Sequence, residues 1–352
     1  MNKIAAYIVA SLVSLIAIIP PVGLGLPNPN MMVWTALVTI SGFVGLILLL
    51  TKVNLFVKAA AILGLINCFF SAAPFIAFNT YIQLVAACYF YLLCTKVEDW
   101  TIVFKTLAIV FMFECLLMIL QFIKQDPLLN FSYGGGSVFG TVGNSMMTGT
   151  FLTVITAALV TVSPLFFIPI ILIFQFVHSH WMIVSTAAGS IVYFYLENKV
   201  LAGVVALVLI IFAFNNIGEA KSNLVDSNNR LNVWRQTLKL ANQHPIAGWG
   251  IGTYQYIFPG LSKNFIPGEP YASAHNDWLQ TIFETGYPGF AFIASIFIYL
   301  SIRLRKAKKN AMFAGLVMIA VIMCAHFPLR MMQCVPMILA FLAYCEHKTE
   351  RV

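Results

Sequence analysis

The sequence predicts an all-α, polytopic membrane protein with about twelve transmembrane helices and one large polar loop. Three observations predict it. Only 9% of the 352 residues are charged and 61% are hydrophobic, with a mean hydropathy of +0.90; a soluble chain carries about 25% charged residues. Apolar runs recur from end to end, and a helix needs roughly 20 such residues to cross a bilayer. Positive charge gathers between particular runs, as it does in cytoplasmic loops. Irregular backbone cannot face lipid, so helices must do the spanning.

The elements follow in order. The run at 4–20 begins after Lys3 and resembles a signal peptide. No small-x-small cleavage site follows it and many apolar runs do, so it reads as a retained first span. Further spans are expected over 32–50, 56–72, 73–94, 101–123 and 145–162. The runs 164–178 and 181–196 are short for a crossing and read as tilted or partly re-entrant. Spans over 199–215, 279–302, 311–327 and 330–345 complete the set. The whole chain, 1–352, reads as a single integral membrane domain.

Charge sets the expected orientation. With the N-terminus in the cytoplasm, Lys3, Lys52, Lys58, Lys96, Lys105 and Lys199 share its side with the block RLRKAKKN at 303–310. That block fixes the preceding polar stretch, 216–278, on the outer face and keeps both termini inside. The outer side receives Lys124, Lys221, Arg230, Arg235, Lys239, Lys263 and Arg330, five of them in one long loop, where the charge rule is weak. The net charge of +8 is accounted for by basic loops, and no nucleic-acid partner is expected. Seven cysteines lie in or at the ends of apolar runs with no CxxC pair, so they read as small buried hydrophobes.

The loop 216–278 is the one large polar segment. Asp226 or Ser227 could cap a helix there, with Leu231, Trp234, Leu238 and Ala241 along one face. His244-Pro245 ends it, since proline cannot continue a helix. Gly248, Gly250 and Gly252 then read as a tight turn; no strand precedes them, so a dinucleotide fingerprint is rejected. A second outer loop, 124–144, is flexible and nearly uncharged.

Candidate chemistry clusters at the end of the large loop, in YASAHNDWLQTIFETGYPGF at 271–290. A lone histidine before a helix is commonly structural. His275, however, stands at the expected outer membrane surface, where Asn276 and Asp277 could orient its ring. Histidine titrates near neutrality and can take a proton from a hydroxyl as a bond forms. Arg230 and Arg235 share the loop; they are either a solvated helix face or binders of phosphate, which the planar guanidinium fork suits. Glu114, with Gln121 two turns on, lies inside the fifth span, where a carboxylate is either functional or a packing hydrogen bond. His178 and His180 form an HxH pair, but with no third ligand nearby an interfacial role is expected, and no metal or other cofactor is.

Three stretches occur together: GTVGN at 140–144, RLNVWRQTLKLANQHPIAGWGIGTYQ at 230–255 and HNDWLQTIFETGYPGF at 275–290. In this order they resemble the O-antigen ligase/polymerase superfamily, which includes bacterial O-oligosaccharyltransferases. The resemblance implies a metal-independent, inverting membrane glycosyltransferase with a GT-C-like architecture, in the bacterial inner membrane. Its donor would be a glycan on undecaprenyl diphosphate, its acceptor hydroxyl on another glycan, on lipid A–core or on a protein. His275 matches the family's loop histidine, proposed as base or acceptor-positioning group, and Arg230 the arginine proposed to hold the donor diphosphate. Asn144, Trp234, Asn276, Asp277 and Glu284 fall in the matching motifs as supporting residues. A further arginine usual in the family, in a Ser-Arg-Gly-like stretch, is replaced here by HSHWM; His180 or Arg235 would then supply the second cation.

Two other classes remain open on sequence. A transporter or flippase of lipid-linked glycans would put its charges inside the bundle, as Glu114 is, with broken helices there. A membrane scaffold would have no use for His275 and Arg230 together. The concentration of polar residues in one outer loop favours the enzyme.

Overall fold

The computed structural model describes residues 2–18, 55–126, 138–170, 173, 179–206, 229–263 and 271–349. Regular secondary structure among them is helical. The apolar helices are α1 (Asn2–Ile18), α2 (Leu55–Phe69), α3 (Pro74–Cys94), α4 (Thr101–Phe122), α5 (Ser145–Leu159) and α6 (His180–Glu197). The polar segment contributes α7 (Arg230–Ala241) and α8 (Tyr254–Ser262). Then come α9 (Asp277–Lys306), α10 (Asn310–Ile322) and α11 (Cys334–Thr349). Short 3-10 turns sit at Pro164–Phe166 and Pro328–Arg330. Each apolar helix falls on an expected run. Of the described helices, α3, α4 and α9 are long and apolar enough to cross a membrane. The expected run 32–50 lies outside the described residues, as do 207–215 and most of 171–178.

The caps explain where several helices begin. Pro74 opens α3 with a fixed φ and no amide to leave unpaired. Asn144 caps α5, its Oδ1 accepting the amides of Met146 and Met147 at 3.0 and 3.2 Å. Asn276 caps α9 by accepting the Leu279 amide at 3.0 Å. Asp277 in the first turn of α9, with Arg303, Arg305 and Lys306 in its last, matches the helix dipole.

The core is built around α5, where every residue from Thr148 to Leu159 is buried. Small residues let its neighbours come close, as is general where lipid removes the hydrophobic drive between helices. A Cβ on Gly315 of α10 would lie 2.2 Å from the Ala157 carbonyl, so only glycine permits that approach. On α6, Ser185 donates to the Met318 carbonyl of α10 at 2.6 Å.

A smaller core lies under α7 and α8, where Val233, Leu240, Tyr254 and Phe258 pack on Ile282 and Phe283 of α9. Here the structure corrects the expected face of α7. Leu231 and Leu238 are exposed, and the buried stripe is Arg230, Val233, Thr237, Leu240 and Ala241, with Trp234 half-buried. A ring pair on the neighbouring helices, Tyr254 and Phe283, draws that stripe inward, and Thr237 completes it through a 2.8 Å bond to the Tyr254 hydroxyl. The expected caps Asp226 and Ser227 lie outside the described residues; α7 ends at Ala241, just before His244-Pro245.

Gly248 and Gly250 both have positive φ, 69° and 116°. A Cβ on Gly248 would meet the Glu284 carbonyl carbon at 2.4 Å, and one on Gly250 the Ser71 hydroxyl at 1.9 Å. The glycine run is therefore a turn pressed against α9 and the α2–α3 corner, and Asn67 of α2 pins it by accepting the Ile251 amide at 2.7 Å. Gly286 (φ 69°) breaks the regular path of α9 beside the Ile246 carbonyl, which accommodates the turn's approach.

Candidate functional site

His275 precedes α9 with φ 49°, a left-handed backbone that non-glycine residues adopt only where their surroundings hold them. Its surroundings do so from both sides. Gln280 Oε1 accepts the Ala274 amide at 3.0 Å, and Trp234 Nε1 donates to the Ala274 carbonyl at 2.8 Å. On the other side, Asn276 Nδ2 donates to the Cys324 carbonyl at 2.7 Å. The Asp277 amide donates to the carbonyls of Met323 and His326 at 2.8 and 3.1 Å. The crowding of Asn276 and Asp277 beside His275 thus serves the backbone. Their side chains fix the chain path by bonding the turn after α10 rather than the imidazole.

A second network supports the same corner. Arg330 pairs with Asp277, and with Glu284 at 2.9 Å. Asp277 also accepts the Leu329 amide at 2.8 Å, and Glu284 accepts from Gln280 at 2.9 Å. The Arg330 guanidinium, about a quarter exposed, is thus satisfied by two carboxylates. Arg330 was legible only as one charge on the expected outer side; its partnership with Glu284, one of the motif residues, depends on the return of α11 beside α9.

Beside this corner opens a cavity of about 1800 Å³. α2, α3, α9 and α11 supply mostly apolar walls, and His275, Gln280, Glu284 and Arg330 lie on its lining. Arg230 does not line it. It is buried at the start of α7, 8% exposed, where Nη1 donates to the Ala325 carbonyl at 3.3 Å. His326, next to Ala325, is 2% exposed and stacks on Phe327, with ring centroids 4.8 Å apart. The His275 ring is 5.1 Å from Phe327 and 5.9 Å from His326, edge-on to both. Arg230, His275 and His326 therefore converge from three separate segments of the chain.

Their polar atoms are unsatisfied. Among the described residues, the buried side-chain atoms without a hydrogen-bond partner include Arg230 Nε, His275 Nδ1 and both ring nitrogens of His326. Such atoms are rare in folded proteins. Burial, together with the nearby Arg230 charge, pushes the His275 pKa down from 6.5 to about 4, so its imidazole is neutral at neutral pH. The His326 pKa is also held below its ordinary value, by burial first and then by His275 and Arg230. Burial lowers the Arg230 pKa as well. The arrangement is one buried cation near two neutral imidazoles, with Arg230 Nε, His275 Nδ1 and both His326 nitrogens closed to solvent and without partners.

The other sequence candidates lie elsewhere. Arg235 is exposed on α7. His180 opens α6 and does not line the cavity. His178 lies outside the described residues. Asn144 is the α5 cap described above. Glu114 is fully buried on α4; its Oε2 accepts the Thr141 amide at 3.1 Å and its other oxygen the Thr141 hydroxyl. Gln121 accepts the amides of Phe139 and Gly140, both at 2.9 Å. The pair holds the 138–144 loop against α4. His326 was missed because it sits in an apolar run, 311–327, whose helix in fact stops at Ile322. HFPLR at 326–330 carried the signal: two ionisable residues flanking a proline cannot belong to a helix in lipid.

Comparison with protein families gives one match. Residues 145–294 match the family model described as O-Antigen ligase. No curated protein matches the chain. The matched segment runs from the start of α5 into the middle of α9 and contains Arg230 and His275. The family implies a membrane protein and a glycosyltransferase-like enzyme acting on lipid-linked glycan and an acceptor. The matched residues, somewhat under half of the chain, are thus similar to an O-antigen ligase domain, in agreement with the O-antigen ligase/polymerase superfamily that the motifs resemble.

Proposed function

We propose that the chain transfers a glycan from undecaprenyl diphosphate to an acceptor hydroxyl at the outer face of the bacterial inner membrane. The observation that carries this reading is the convergence of His275, on the lining of a large apolar-walled cavity, with the buried and incompletely bonded Arg230. A neutral imidazole is the form a base requires. His275 takes the proton of the acceptor hydroxyl as its oxygen attacks the anomeric carbon, with inversion. The bond to the diphosphate breaks, and the charge that develops there is stabilised by Arg230, a cation already in place. The cavity's apolar helical walls suit a polyprenyl chain. In this reading the polar segment around α7 and α8 faces the periplasm, both termini face the cytoplasm, and the whole chain is one integral membrane domain. No residue of the mechanism calls for a metal.

The test is transfer by purified protein given an undecaprenyl-diphosphate-linked glycan, with lipid A–core, free glycan and protein acceptors offered in parallel. Product on at least one acceptor, with inverted anomeric configuration, is expected. Glycan that stays on its carrier with all three acceptors would overturn the reading.

A further inference from the structure

The α3 wall of the cavity carries chemistry that a lipid tail cannot use. Asn79, Thr80 and Gln83 line it at helical spacing. Another stripe of the same helix, Phe75, Phe78 and Ile82, is exposed, apolar and off the cavity, as a lipid-facing surface is. Pro74 opens α3, so Asn79 and Gln83 lie about 8 and about 14 Å along its axis. They therefore stand well inside a helix long and apolar enough to cross a membrane. No hydrogen bond joins either side-chain amide to another described residue. Amides at that depth are costly unless something bonds them.

The glycine turn brings α8 to this wall. A Cβ on Gly252 would lie 2.0 Å from the Thr80 hydroxyl, so the turn runs directly against α3 beside Asn79. Gln255 and Tyr256 follow at the start of α8; both are exposed and both line the cavity. The Gly250 amide donates to the Glu284 carbonyl at 2.9 Å. That bond ties the wall to the corner that holds Glu284, Arg330 and His275. The described residues of α2, α3 and α8 that line the cavity are all uncharged. A phosphate would gain little there. A neutral polar ligand would gain much, since each amide offers two donors and an acceptor, the complement of a sugar's hydroxyl and acetamido groups.

We propose that Asn79 and Gln83 of α3, with Gln255 and Tyr256 of α8, form a subsite for one neutral sugar unit of the glycan. The proposal deepens, and rests on, the reading of the cavity as the place of transfer. The amides bond the sugar's polar groups, Tyr256 adds an aromatic face and a hydroxyl, and the apolar walls are left to the carrier's chain. Donor and acceptor sugars share this chemistry, and the experiment separates them.

The test is equilibrium binding of three probes to the full-length, detergent-solubilised protein: bare undecaprenyl diphosphate, the same carrier bearing a glycan, and the free glycan. Asn79→Leu and Gln83→Met replace each amide by an apolar side chain of similar shape. Each variant should bind the bare carrier as the wild-type protein does. Each should bind the glycosylated carrier about ten-fold more weakly if the subsite takes the donor sugar, or the free glycan about ten-fold more weakly if it takes the acceptor. Tyr256→Ala, at an exposed position, should show the same pattern and decides the matter if the α3 variants fail to fold. Unchanged affinity of the variants for both glycan probes would overturn the subsite. An equal loss for the bare carrier would also overturn it, by assigning the amides to the carrier itself. Wild-type protein that binds as expected but transfers nothing would instead remove the transfer reading, and with it the subsite's place in catalysis.

Discussion

Two buried polar clusters in this protein look alike in sequence and differ in how they are satisfied. Glu114 and Gln121 on α4 meet the 138–144 loop, and His275 and Arg230 meet the turn after α10. Each cluster holds a residue of left-handed backbone, Gly140 with φ 56° and His275 with φ 49°. In the first, glycine takes the unusual conformation at little expense, and a Cβ there would press on the Glu114 carboxylate at 2.5 Å. The carboxylate and amide bond the loop at 2.9 to 3.1 Å through backbone amides. In the second, an imidazole occupies the strained position, and Arg230 Nε, His275 Nδ1 and both His326 nitrogens are left without partners. A saturated network rigidifies; an unsaturated one at the same depth awaits something else. An intramembrane carboxylate such as Glu114 is by default a functional suspect, yet here the loop explains it and the transporter reading loses its main support.

The comparison can be broken or sharpened by substitution. The largest expected effect is on His275→Ala, which should lose transfer by about a thousand-fold while remaining folded in the membrane; a transfer assay beside a detergent melting curve measures both. Glu114 should behave in the opposite way. Glu114→Ala should destabilise by about 2 kcal/mol, because the Thr141 amide and hydroxyl lose their acceptor, whereas Glu114→Gln should transfer glycan at close to the wild-type rate. A much slower Glu114→Gln variant of normal stability would place chemistry at α4. Backbone strain gives a smaller signature. His275→Gly should be more stable than His275→Ala by about 1 kcal/mol, since only glycine accepts φ 49° freely; equal melting temperatures would show that the corner relaxes.

A further effect is expected on pH dependence. The folded pKa of His275, about 4, lies below the unfolded value of 6.5. Between those values the unfolded chain binds more protons, so stability is full above about pH 6.5 and is lost as pH falls toward 4. Melting temperatures at pH 7 and pH 5 should therefore differ more for the wild-type protein than for His275→Ala. His326, shifted in the same direction, leaves a residual slope in the variant.

Much of the fold was legible in the sequence because apolar runs are a one-dimensional signal. α1 to α6 and α9 to α11 lie on runs that hydropathy alone marks out. The polar segment was harder. The face of α7 was placed only in part: Trp234 and Ala241 do face the inner core, but Leu231 and Leu238, which share their spacing, are exposed and Arg230 and Val233 are buried instead. His275 and Arg230 stood out as rare chemistry in the one large loop. His326 and Arg330 did not, because they are separated from the loop by the whole of α9 and α10 and meet it only when the bundle closes. Asn276 and Asp277 were expected to orient the His275 ring, but their side chains bond the 323–330 turn, a tertiary fact that no spacing encodes.

The central claim is that the unsatisfied cluster is completed by an anionic lipid-diphosphate head. Equilibrium binding of undecaprenyl diphosphate to the detergent-solubilised protein tests it most directly, with Arg230→Ala, Arg230→Lys and Glu114→Gln measured alongside. The wild-type protein and Glu114→Gln should bind equally, Arg230→Ala at least about ten-fold more weakly, as loss of a charged hydrogen bond requires, and Arg230→Lys in between, for want of the planar fork. Equal affinity across all four proteins would contradict the account.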